Sequence, residues 1–567
     1  MFRRILIANR GEIAVRVART CHELGVEVVC VYSDVDAGAR HVALADRVFH
    51  LPGVAPAQTY LNVEAIIEAA VETEAEAIHP GYGFLSERAD VAERVAEAGL
   101  VWIGPPPDAS RLAGDKIEAR RLARSVGVPP VPGTLEPVSD VDDVLRFGAE
   151  HGFPVAIKAT GGGGGKGLKV AAGADQAVDA LESARREAQA YFGYGDVYLE
   201  RYLERPKHIE VQVLAPEPGA SMWLGARECS LQRRHQKLVE ETPPVRSPDD
   251  IDRMGEAAVG VADAAGYANA GTVEFLVDED GSFYFLEINA RLQVEHTITE
   301  EVMGIDLVAE QLRIASGDPP EFPGRPDPRG HAIECRINAE DPARGFLPGP
   351  GVIRRYREPG GPGIRVDSGF GEGDEVPQAY DSLIAKLVAW APTREECRRR
   401  MIRALDEFVI EGIPTTIPAH RVLLELPEFV DGSYTTRTVE GGALDELALT
   451  SATGGDTAEE RTSAPTATLL VQGTPVRLWN PAISSSFSGA ARGEESAQGV
   501  VVAPMHGTVL KILVTEGDRV AVGQSVAVLE TMKMETSVAA TVSGTVEAVK
   551  VQPGDVVEAG EIVAVIG

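Results

Sequence analysis

The sequence predicts a multidomain α/β protein that ends in a small all-β domain. The chain opens with a strand–helix–strand pattern over residues 4–32, which is typical of a parallel sheet covered by helices. A stretch rich in Ala, Gly, Ser, Thr and acidic residues fills 443–499 and indicates a flexible linker. Beyond it, 503–529 is repeated in 540–566. The 567 residues suggest roughly three to five domains.

Composition excludes some classes of partner and compartment. The formal net charge of −32 argues against nucleic-acid and anionic-membrane partners, because such surfaces select for Lys and Arg. The five cysteines are scattered and form no CxxC pair, so we expect neither a disulfide framework nor a zinc cluster. The sequence shows no signal peptide and no transmembrane run. We therefore expect a cytoplasmic protein.

The opening pattern consists of a short buried strand at 4–8, an amphipathic helix from Gly11 to Leu24, and a second strand at 26–32. Gly25 closes the helix. The turn between strand and helix lacks the G-x-G-x-x-G fingerprint. A dinucleotide-binding dehydrogenase is therefore disfavoured.

A glycine-rich loop at 160–167 joins two predicted strands at 154–158 and 168–170. Lys166 is followed by Gly167, and a strand follows the loop, so the loop is not a Walker motif. A glycine run in a β-hairpin lets backbone N–H groups approach phosphates without obstruction. Lysines on both sides favour phosphate binding over the alternative of an unliganded loop.

A predicted hairpin at 272–288 carries two glutamates. If Asp280 and Gly281 form a two-residue turn, Glu274 lies directly opposite Glu287. Opposed carboxylates repel each other, and a hard divalent cation such as Mg²⁺ resolves the conflict. A longer loop or a bulge would make the pair diagonal. A solvated acidic hairpin is the alternative.

The segment 287–296 alternates strictly between polar and apolar residues and is predicted to continue as a strand. One face would then carry a possible metal ligand, an amide, a cation and a second carboxylate. That set can hold a metal, an anion and a base in a row, although an ordinary edge strand can also alternate. The residues on this face are Glu287, Asn289, Arg291, Gln293 and Glu295.

The repeat near the C-terminus has a constant offset of 37 residues, which pairs Gly507 with Gly544 and Gly523 with Gly560. Two copies of one β unit predict a pseudo-symmetric all-β domain. Lys533, flanked by Met532 and Met534, falls at the turn between the copies. Two exposed methionines are costly unless they serve recognition.

Several long motifs together resemble one family. They are GDK (114–116), AIKATGGGGGKG (156–167), RRHQK (233–237), FLEINARLQVEH (285–296), ECRINAEDP (334–342) and HPGYGFLSE (79–87). Their order is similar to that in biotin carboxylase of the ATP-grasp superfamily, and the MKM tail resembles a biotin carboxyl carrier domain. The resemblance covers about 1–440 and 500–567. The fusion resembles the α subunit of actinobacterial-type acetyl/propionyl-CoA carboxylases.

The resemblance implies five segments. They are a Rossmann-like N-terminal domain (1–113), an ATP-grasp domain (114–330) with a mobile lid at about 133–203, an α+β carboxylase C-terminal domain (331–442), the flexible linker (443–499) and an all-β biotinyl domain (500–567). A small hairpin is predicted at 467–479 within the linker, and we interpret it as a remnant of a longer docking domain for the β subunit.

The family also implies roles for matching residues. Those expected to hold ATP are Lys116, Lys158, Gly163, Gly164, Gly165, Lys166, Glu200, Arg201, Tyr202, Leu203, His208 and His235. Glu274, Glu287 and Asn289 would bind Mg²⁺ or Mn²⁺. Lys237, Arg291, Gln293 and Val294 would position bicarbonate, and Glu295 would be the base that deprotonates it. Arg336 would stabilise the biotin enolate, with Tyr82 near the ureido ring.

The implied function is ATP-dependent carboxylation, by bicarbonate, of biotin attached covalently to Lys533. A separate carboxyltransferase β subunit would then carboxylate acetyl-CoA or propionyl-CoA, because no carboxyltransferase domain fits in this chain. Biotin protein ligase would modify Lys533, and the chain would be a homo-oligomer within a hetero-oligomeric complex. Thr531 departs from the alanine usual before MKM, and we expect biotinylation to survive.

Three alternatives compete with this interpretation. Another ATP-grasp ligase would explain 1–440 but leaves the MKM tail without a role. A nucleotide sensor or biotin store with a dead site is disfavoured because the acidic and basic residues named above are present. A lipoyl carrier typically has Asp-Lys-Ala at the turn, where this chain has Met-Lys-Met.

Overall fold

The computed structural model describes residues 1–160, 168–192, 195–445, 447, 466–471, 474–479, 499–503, 507–531, 534–557 and 560–567. The chain divides into two compact units, Met1–Ala448 and Leu449–Gly567. The predicted site residues Gly163, Gly164, Gly165, Lys166 and Lys533 lie outside the described residues.

The N-terminal region contains a five-stranded parallel sheet, as the opening pattern predicts. Its order is β3-β2-β1-β4-β5. The strands are β1 (Arg4–Ile7), β2 (Glu27–Tyr32), β3 (Arg47–His50), β4 (Ala77–His79) and β5 (Val101–Trp102), and the helices are α1 (Gly11–Glu23), α2 (Arg40–Leu44), α3 (Val63–Glu72), α4 (Ala89–Glu97) and α5 (Pro107–Gly114). The apolar residues of α1 that recur at helical spacing are buried against the sheet.

The next region begins with α6 (Lys116–Ser125) and then forms a separate layer of two helices on three strands. These are α7 (Val141–His151), β6 (Val155–Ala159), β7 (Leu168–Ala171), α8 (Ala177–Phe192) and β8 (Val197–Arg201). Strand β6 pairs antiparallel with both β7 and β8. The strand that follows the glycine-rich loop is thus present, which confirms that the loop is not a Walker motif.

An eight-stranded antiparallel sheet follows, in the order β13-β12-β9-β10-β11-β14-β21-β19. Its first five strands in chain order are β9 (Lys207–Ala215), β10 (Met222–Arg233), β11 (Gln236–Thr242), β12 (Asn269–Val277) and β13 (Phe283–Asn289), accompanied by α9 (Pro248–Ala264), α10 (His296–Met303) and α11 (Leu307–Ala315). This sheet carries most of the predicted site residues.

The remaining strands of that sheet come from beyond residue 330, so the sheet is continuous across the predicted boundary there. The elements are β14 (His331–Asn338), β15 (Glu340–Asp341), β16 (Leu347–Pro348), β17 (Gly351–Val352), β18 (Arg355–Arg357), β19 (Ile364–Ser368), β20 (Glu375–Val376), β21 (Leu383–Ala391), α12 (Arg394–Glu407), β22 (Val409–Glu411), α13 (Ile417–Glu425) and α14 (Pro427–Asp431). The pairing of β11 with β14 joins the two regions.

The described part of the second unit begins with a hairpin, β23 (Thr466–Val471) paired with β24 (Thr474–Trp479), which confirms the hairpin predicted in the linker. Two four-stranded sheets follow, β25-β32-β30-β27 and β29-β28-β26-β31. Their strands are β25 (Val500–Val502), β26 (Gly507–Ile512), β27 (Arg519–Val520), β28 (Ser525–Thr531), β29 (Met534–Ala539), β30 (Gly544–Val549), β31 (Val556–Val557) and β32 (Ile562–Ile566).

The 37-residue offset maps each strand of one sheet onto the corresponding strand of the other, for example β26 onto β30 and β27 onto β31. The predicted pseudo-symmetric all-β domain is therefore confirmed. Strands β28 and β29 pair as far as Thr531 and Met534, and the sequence between them is Met532-Lys533.

Two further features concern the cysteines and the helices. All five cysteines are buried and unpaired. Among the described parts of the chain, no helix has both the length and the apolar character needed to cross a bilayer.

Candidate active site

The two opposed glutamates are present: Glu274 in β12 is directly paired with Glu287 in β13. The predicted two-residue turn, however, is wrong. Val277 pairs with Phe283, and the Asp278 N–H donates to the Ser282 carbonyl at 2.8 Å, which leaves a three-residue turn closed by Gly281 at φ +85°.

A bulge restores the register. Glu274 faces Glu287, whereas Phe275 faces Phe285, so Leu286 is the additional residue on β13. The turn displaces the pairing by one residue and the bulge displaces it back. The prediction that the carboxylates oppose each other is thus confirmed, although the turn on which it relied does not form.

The strand predicted over 287–296 ends at Asn289, which corrects the sequence-based expectation. Residues 290–295 follow an irregular path, and Glu295 lies at the N-cap of α10. The polar side chains nevertheless converge. The Asn289 and Gln293 amides donate to Glu274 Oε1 at 2.9 and 2.7 Å, and Arg291 lies 3.3 Å from Glu87.

Glu295 lies between two cations. Its Oε1 accepts from Lys237 Nζ at 2.5 Å and its Oε2 from an Arg336 guanidinium nitrogen at 2.9 Å. The side chain is only 2% exposed. Lys237 also contacts Glu274 at 3.2 Å and Glu210 at 2.5 Å, so one ammonium joins the base candidate to the acidic pair.

Charge pairing fixes the protonation of these groups. Burial alone would raise the pKa of Glu295, but Lys237 and Arg336 outweigh it and hold that pKa well below its usual range. Burial likewise opposes ionisation of Glu274, yet Lys237 and His208 hold its pKa well below normal. Both carboxyl groups are therefore ionised at neutral pH.

At the other end of the site, further lysines contact carboxylates. Lys116 donates to Glu287 at 2.6 Å. Lys158 and Arg120 each donate to one oxygen of the Glu200 carboxylate. Burial would raise the pKa of Glu200, but these two cations lower it.

A cleft of about 490 Å³ brings these groups together. Of the predicted site residues that the structure describes, all but Tyr82 line it: Lys116, Lys158, Glu200, Arg201, Tyr202, Leu203, His208, His235, Lys237, Glu274, Glu287, Asn289, Arg291, Gln293, Val294, Glu295 and Arg336. Tyr82 instead donates its hydroxyl hydrogen bond to Glu12.

Sequence reasoning missed a buried layer behind the cleft. Arg227 contacts Glu210 at 2.5 Å and Gln293 at 2.8 Å, and Arg336 contacts Glu240 at 2.5 Å. One signal was available for part of it. His208, Glu210 and Gln212 alternate with apolar residues in β9, which places three polar side chains on one face. The Arg120 contact had no such signal, since Arg120 lies on a helix remote in sequence from Glu200.

Four family models match the chain. They are described as "Biotin carboxylase, N-terminal domain" (1–109), "Carbamoyl-phosphate synthase L chain, ATP binding domain" (115–321), "Biotin carboxylase C-terminal domain" (334–441) and "Biotin-requiring enzyme" (499–566). These matches cover both the part of the chain that forms the cleft and the repeated β unit at its end.

Curated relatives agree. The chain is 44% identical over 561 residues to the biotin-dependent acyl-coenzyme A carboxylase alpha3 subunit of Mycobacterium leprae, which covers 95% of this chain and 94% of the relative. It is 48% identical over 441 residues to biotin carboxylase of Nostoc sp., covering 77% of this chain and 99% of the relative.

Solved structures share the fold of the larger unit. The biotin carboxylase domain of Hydrogenobacter thermophilus 2-oxoglutarate carboxylase, in complex with MgADP, ADP and bicarbonate, matches with a TM-score of 0.76 and 45% identity, covering 78% of this chain and 99% of that one. Biotin carboxylase of Campylobacter jejuni matches with a TM-score of 0.76 and 42% identity over the same shares. The chain therefore belongs to the family of biotin-dependent carboxylase α subunits, in which an ATP-grasp biotin carboxylase is joined to a biotinyl carrier domain.

Proposed function

We propose that this chain uses ATP and bicarbonate to carboxylate a biotin carried on its own Lys533. One observation carries the proposal. A single cleft holds the opposed Glu274 and Glu287 and, joined to them through Lys237, an ionised Glu295 that Arg336 also contacts. Two carboxylates that could bind a metal thus lie beside a carboxylate that could act as a base. The two cations that contact this base could bind an anion.

The acidic pair fits a divalent metal. Two carboxylates and the side-chain oxygen of Asn289 are the hard oxygen donors that Mg²⁺ and Mn²⁺ prefer. Both carboxylates are now neutralised by protein cations, namely Lys116 on Glu287 and Lys237 with His208 on Glu274. A bound metal would supply charge neutralisation for nucleotide phosphates.

The nucleotide would occupy the part of the cleft lined by Lys116, Lys158, His208, His235 and residues 200–203. The lysines provide the positive charge that phosphates require. Tyr202 and Leu203 provide a less polar surface for the adenine ring. Further phosphate contacts would come from the glycine-rich loop, through Gly163, Gly164, Gly165 and Lys166. This part of the proposal rests on the sequence alone.

Bicarbonate would bind beside Arg291, Lys237, Gln293 and Val294, next to Glu295. To act as a general base, Glu295 must be ionised before bicarbonate binds, and its affinity for a proton must rise when bicarbonate is bound. The two cations on Glu295 keep it ionised. An arriving anion shares those cations, which raises the proton affinity of the carboxylate.

Arg336 would hold negative charge that develops on the biotin ring, since its guanidinium faces the cleft from β14. The proposed place of Tyr82 near the ureido ring rests on the family resemblance alone, because Tyr82 does not line the cleft described above.

The carrier would meet this site by means of its linker. On the expectation from sequence that residues 443–499 are a flexible linker, 57 residues would have a root-mean-square span of roughly 40 Å, which the β23–β24 hairpin within them would shorten. Tethering raises the effective concentration of the attached biotin, so tight binding is unnecessary. We propose that biotin protein ligase modifies Lys533 despite Thr531, since both flanking methionines are present.

We further propose that a separate carboxyltransferase β subunit receives the carboxyl group and transfers it to acetyl-CoA or propionyl-CoA. The name of the Mycobacterium leprae relative, an acyl-coenzyme A carboxylase α subunit, supports this class of partner. Assays of the reconstituted complex on both acyl-CoA substrates would identify the preferred one. We propose a cytoplasmic location, and homo-oligomers of this chain within the complex.

Lys533→Ala is expected to remove biotin completely. Wild-type protein expressed with biotin protein ligase should carry the mass of one biotin and bind streptavidin, whereas the variant should show neither. Lys550→Ala removes an exposed lysine of the second repeat and should keep full labelling. Labelling that persists in Lys533→Ala would contradict the assignment of the attachment site.

A further inference from the structure

Arg120 stands behind the nucleotide part of the cleft. It lies on α6, its side chain is 1% exposed, and it is absent from the residues that line the cleft. Glu200, whose carboxylate it contacts, does line the cleft, and its side chain is 3% exposed. Arg120 therefore acts on the site through Glu200, which is a positioning role.

Two contacts fix the geometry of the arginine. One guanidinium nitrogen donates to Glu200 Oε1, and the other donates to the Val131 carbonyl at 2.7 Å. The surrounding packing leaves the Arg120 guanidinium group little room to move. A Cβ added to Gly133 would lie only 2.6 Å from Arg120 and 3.1 Å from the Glu200 Cγ. The absence of a side chain at 133 is thus what lets the buried pair form.

Glu200 is consequently held by two cations, one on each oxygen. Arg120 binds Oε1 from behind the wall, and Lys158 binds Oε2 from within the cleft. A carboxylate fixed in this way is ionised and can only accept hydrogen bonds. It suits the exocyclic amino group of adenine, which donates, and it repels the corresponding oxygen of guanine, which can only accept.

We propose that Arg120 positions the Glu200 carboxylate and thereby makes the nucleotide site selective for adenine over guanine. The inference rests on the proposed use of ATP. Without Arg120, Glu200 keeps Lys158 as its one cation, together with the hydrogen bond from the Tyr198 side chain, and loses the contact that holds it from behind the cleft wall. Burial favours the neutral acid, and removing Arg120 takes away one of the two cations that oppose this effect on the pKa of Glu200. A protonated Glu200 would donate to a guanine oxygen.

The test compares ATP and GTP in bicarbonate-dependent nucleotide hydrolysis by the full chain. In Arg120→Met, we expect the ratio of kcat/KM for ATP to that for GTP to fall at least tenfold. The fall should come mainly from a higher KM for ATP, with kcat at saturating ATP changed less. Arg120→Lys keeps the charge but cannot bridge Glu200 and Val131. Its ATP-to-GTP ratio of kcat/KM should therefore lie between the ratios of the wild type and of Arg120→Met.

Arg121→Met is the matched control. Arg121 is the next residue on α6, pairs with Glu136 and donates to the Leu135 carbonyl at 2.7 Å, but it is 37% exposed and makes no contact with Glu200. Its nucleotide ratio should equal that of the wild type. Thermal melting should show that each assayed variant is folded.

An unchanged ratio in folded Arg120→Met would overturn the proposal. If that variant does not fold, Arg120→Lys decides in its place, and a wild-type ratio there would also overturn it. Failure of the proposed function is distinguishable, because the wild type itself would then show no bicarbonate-dependent hydrolysis of either nucleotide.

Discussion

Replacing Glu295 with alanine is expected to reduce bicarbonate-dependent ATP hydrolysis by about 10²–10⁴-fold, the usual contribution of a positioned general base. The carboxylate is buried, ionised and held between Lys237 and Arg336 at 2.5 and 2.9 Å. The Glu295 carboxylate is thus placed to accept a proton from an anion that binds at these two cations. Steady-state hydrolysis with and without bicarbonate measures the effect.

The variant Glu295→Gln separates charge from shape. It keeps the volume of the side chain and loses the proton acceptor, so its loss should approach that of alanine. Glu301→Gln, on the helix that Glu295 precedes and 30% exposed, should keep wild-type rates. Full bicarbonate-dependent activity in both Glu295 variants would remove Glu295 as the base.

The pH dependence follows from the same contacts. Because the pKa of Glu295 is held well below its ordinary value, the substrate-free base stays ionised as the pH falls through the normal titration range of a glutamate. An acidic limb of kcat/KM for bicarbonate near pH 6 would therefore arise from another group.

Lys386→Met is expected to cost about 3 kcal/mol of stability, the low end of the range for removing one partner of a buried ion pair. Lys386 is fully buried in β21, and its Nζ lies 3.0 Å from Glu12 Oε1 in α1. It also donates to the Val294 carbonyl at 3.0 Å. Methionine would leave the buried Glu12 with only Tyr82. The midpoint of urea unfolding of the larger unit measures the loss.

A double-mutant cycle isolates the pair. Glu12→Gln combined with Lys386→Met removes both charges, so the double variant should be more stable than Lys386→Met alone. Lys169→Met is the control, because its ion pair with Glu187 is partly exposed and should contribute less than about 1 kcal/mol. Equal losses in Lys386→Met and Lys169→Met would contradict the importance assigned to the buried pair.

The hairpin shows how far pattern reasoning reaches. The opposition of Glu274 and Glu287 is correct, although the turn is one residue longer than predicted and a bulge at Leu286 compensates. Alternation specifies which residues share a face, but turn length and bulges depend on packing against neighbouring strands. The end of β13 at Asn289 has the same origin, since an alternating pattern continues beyond the point at which the chain leaves the sheet.

By itself, the sequence determined the parallel N-terminal sheet, the repeated β domain and most of the residues that line the cleft. Those features follow from local periodicity, from an internal repeat and from long motifs. Only the tertiary structure decided that Arg120 supports Glu200, that Lys386 pairs with Glu12, and that Tyr82 points to Glu12. These contacts join residues 70 to about 370 positions apart, and no local pattern encodes them, because burial and charge pairing select partners in space.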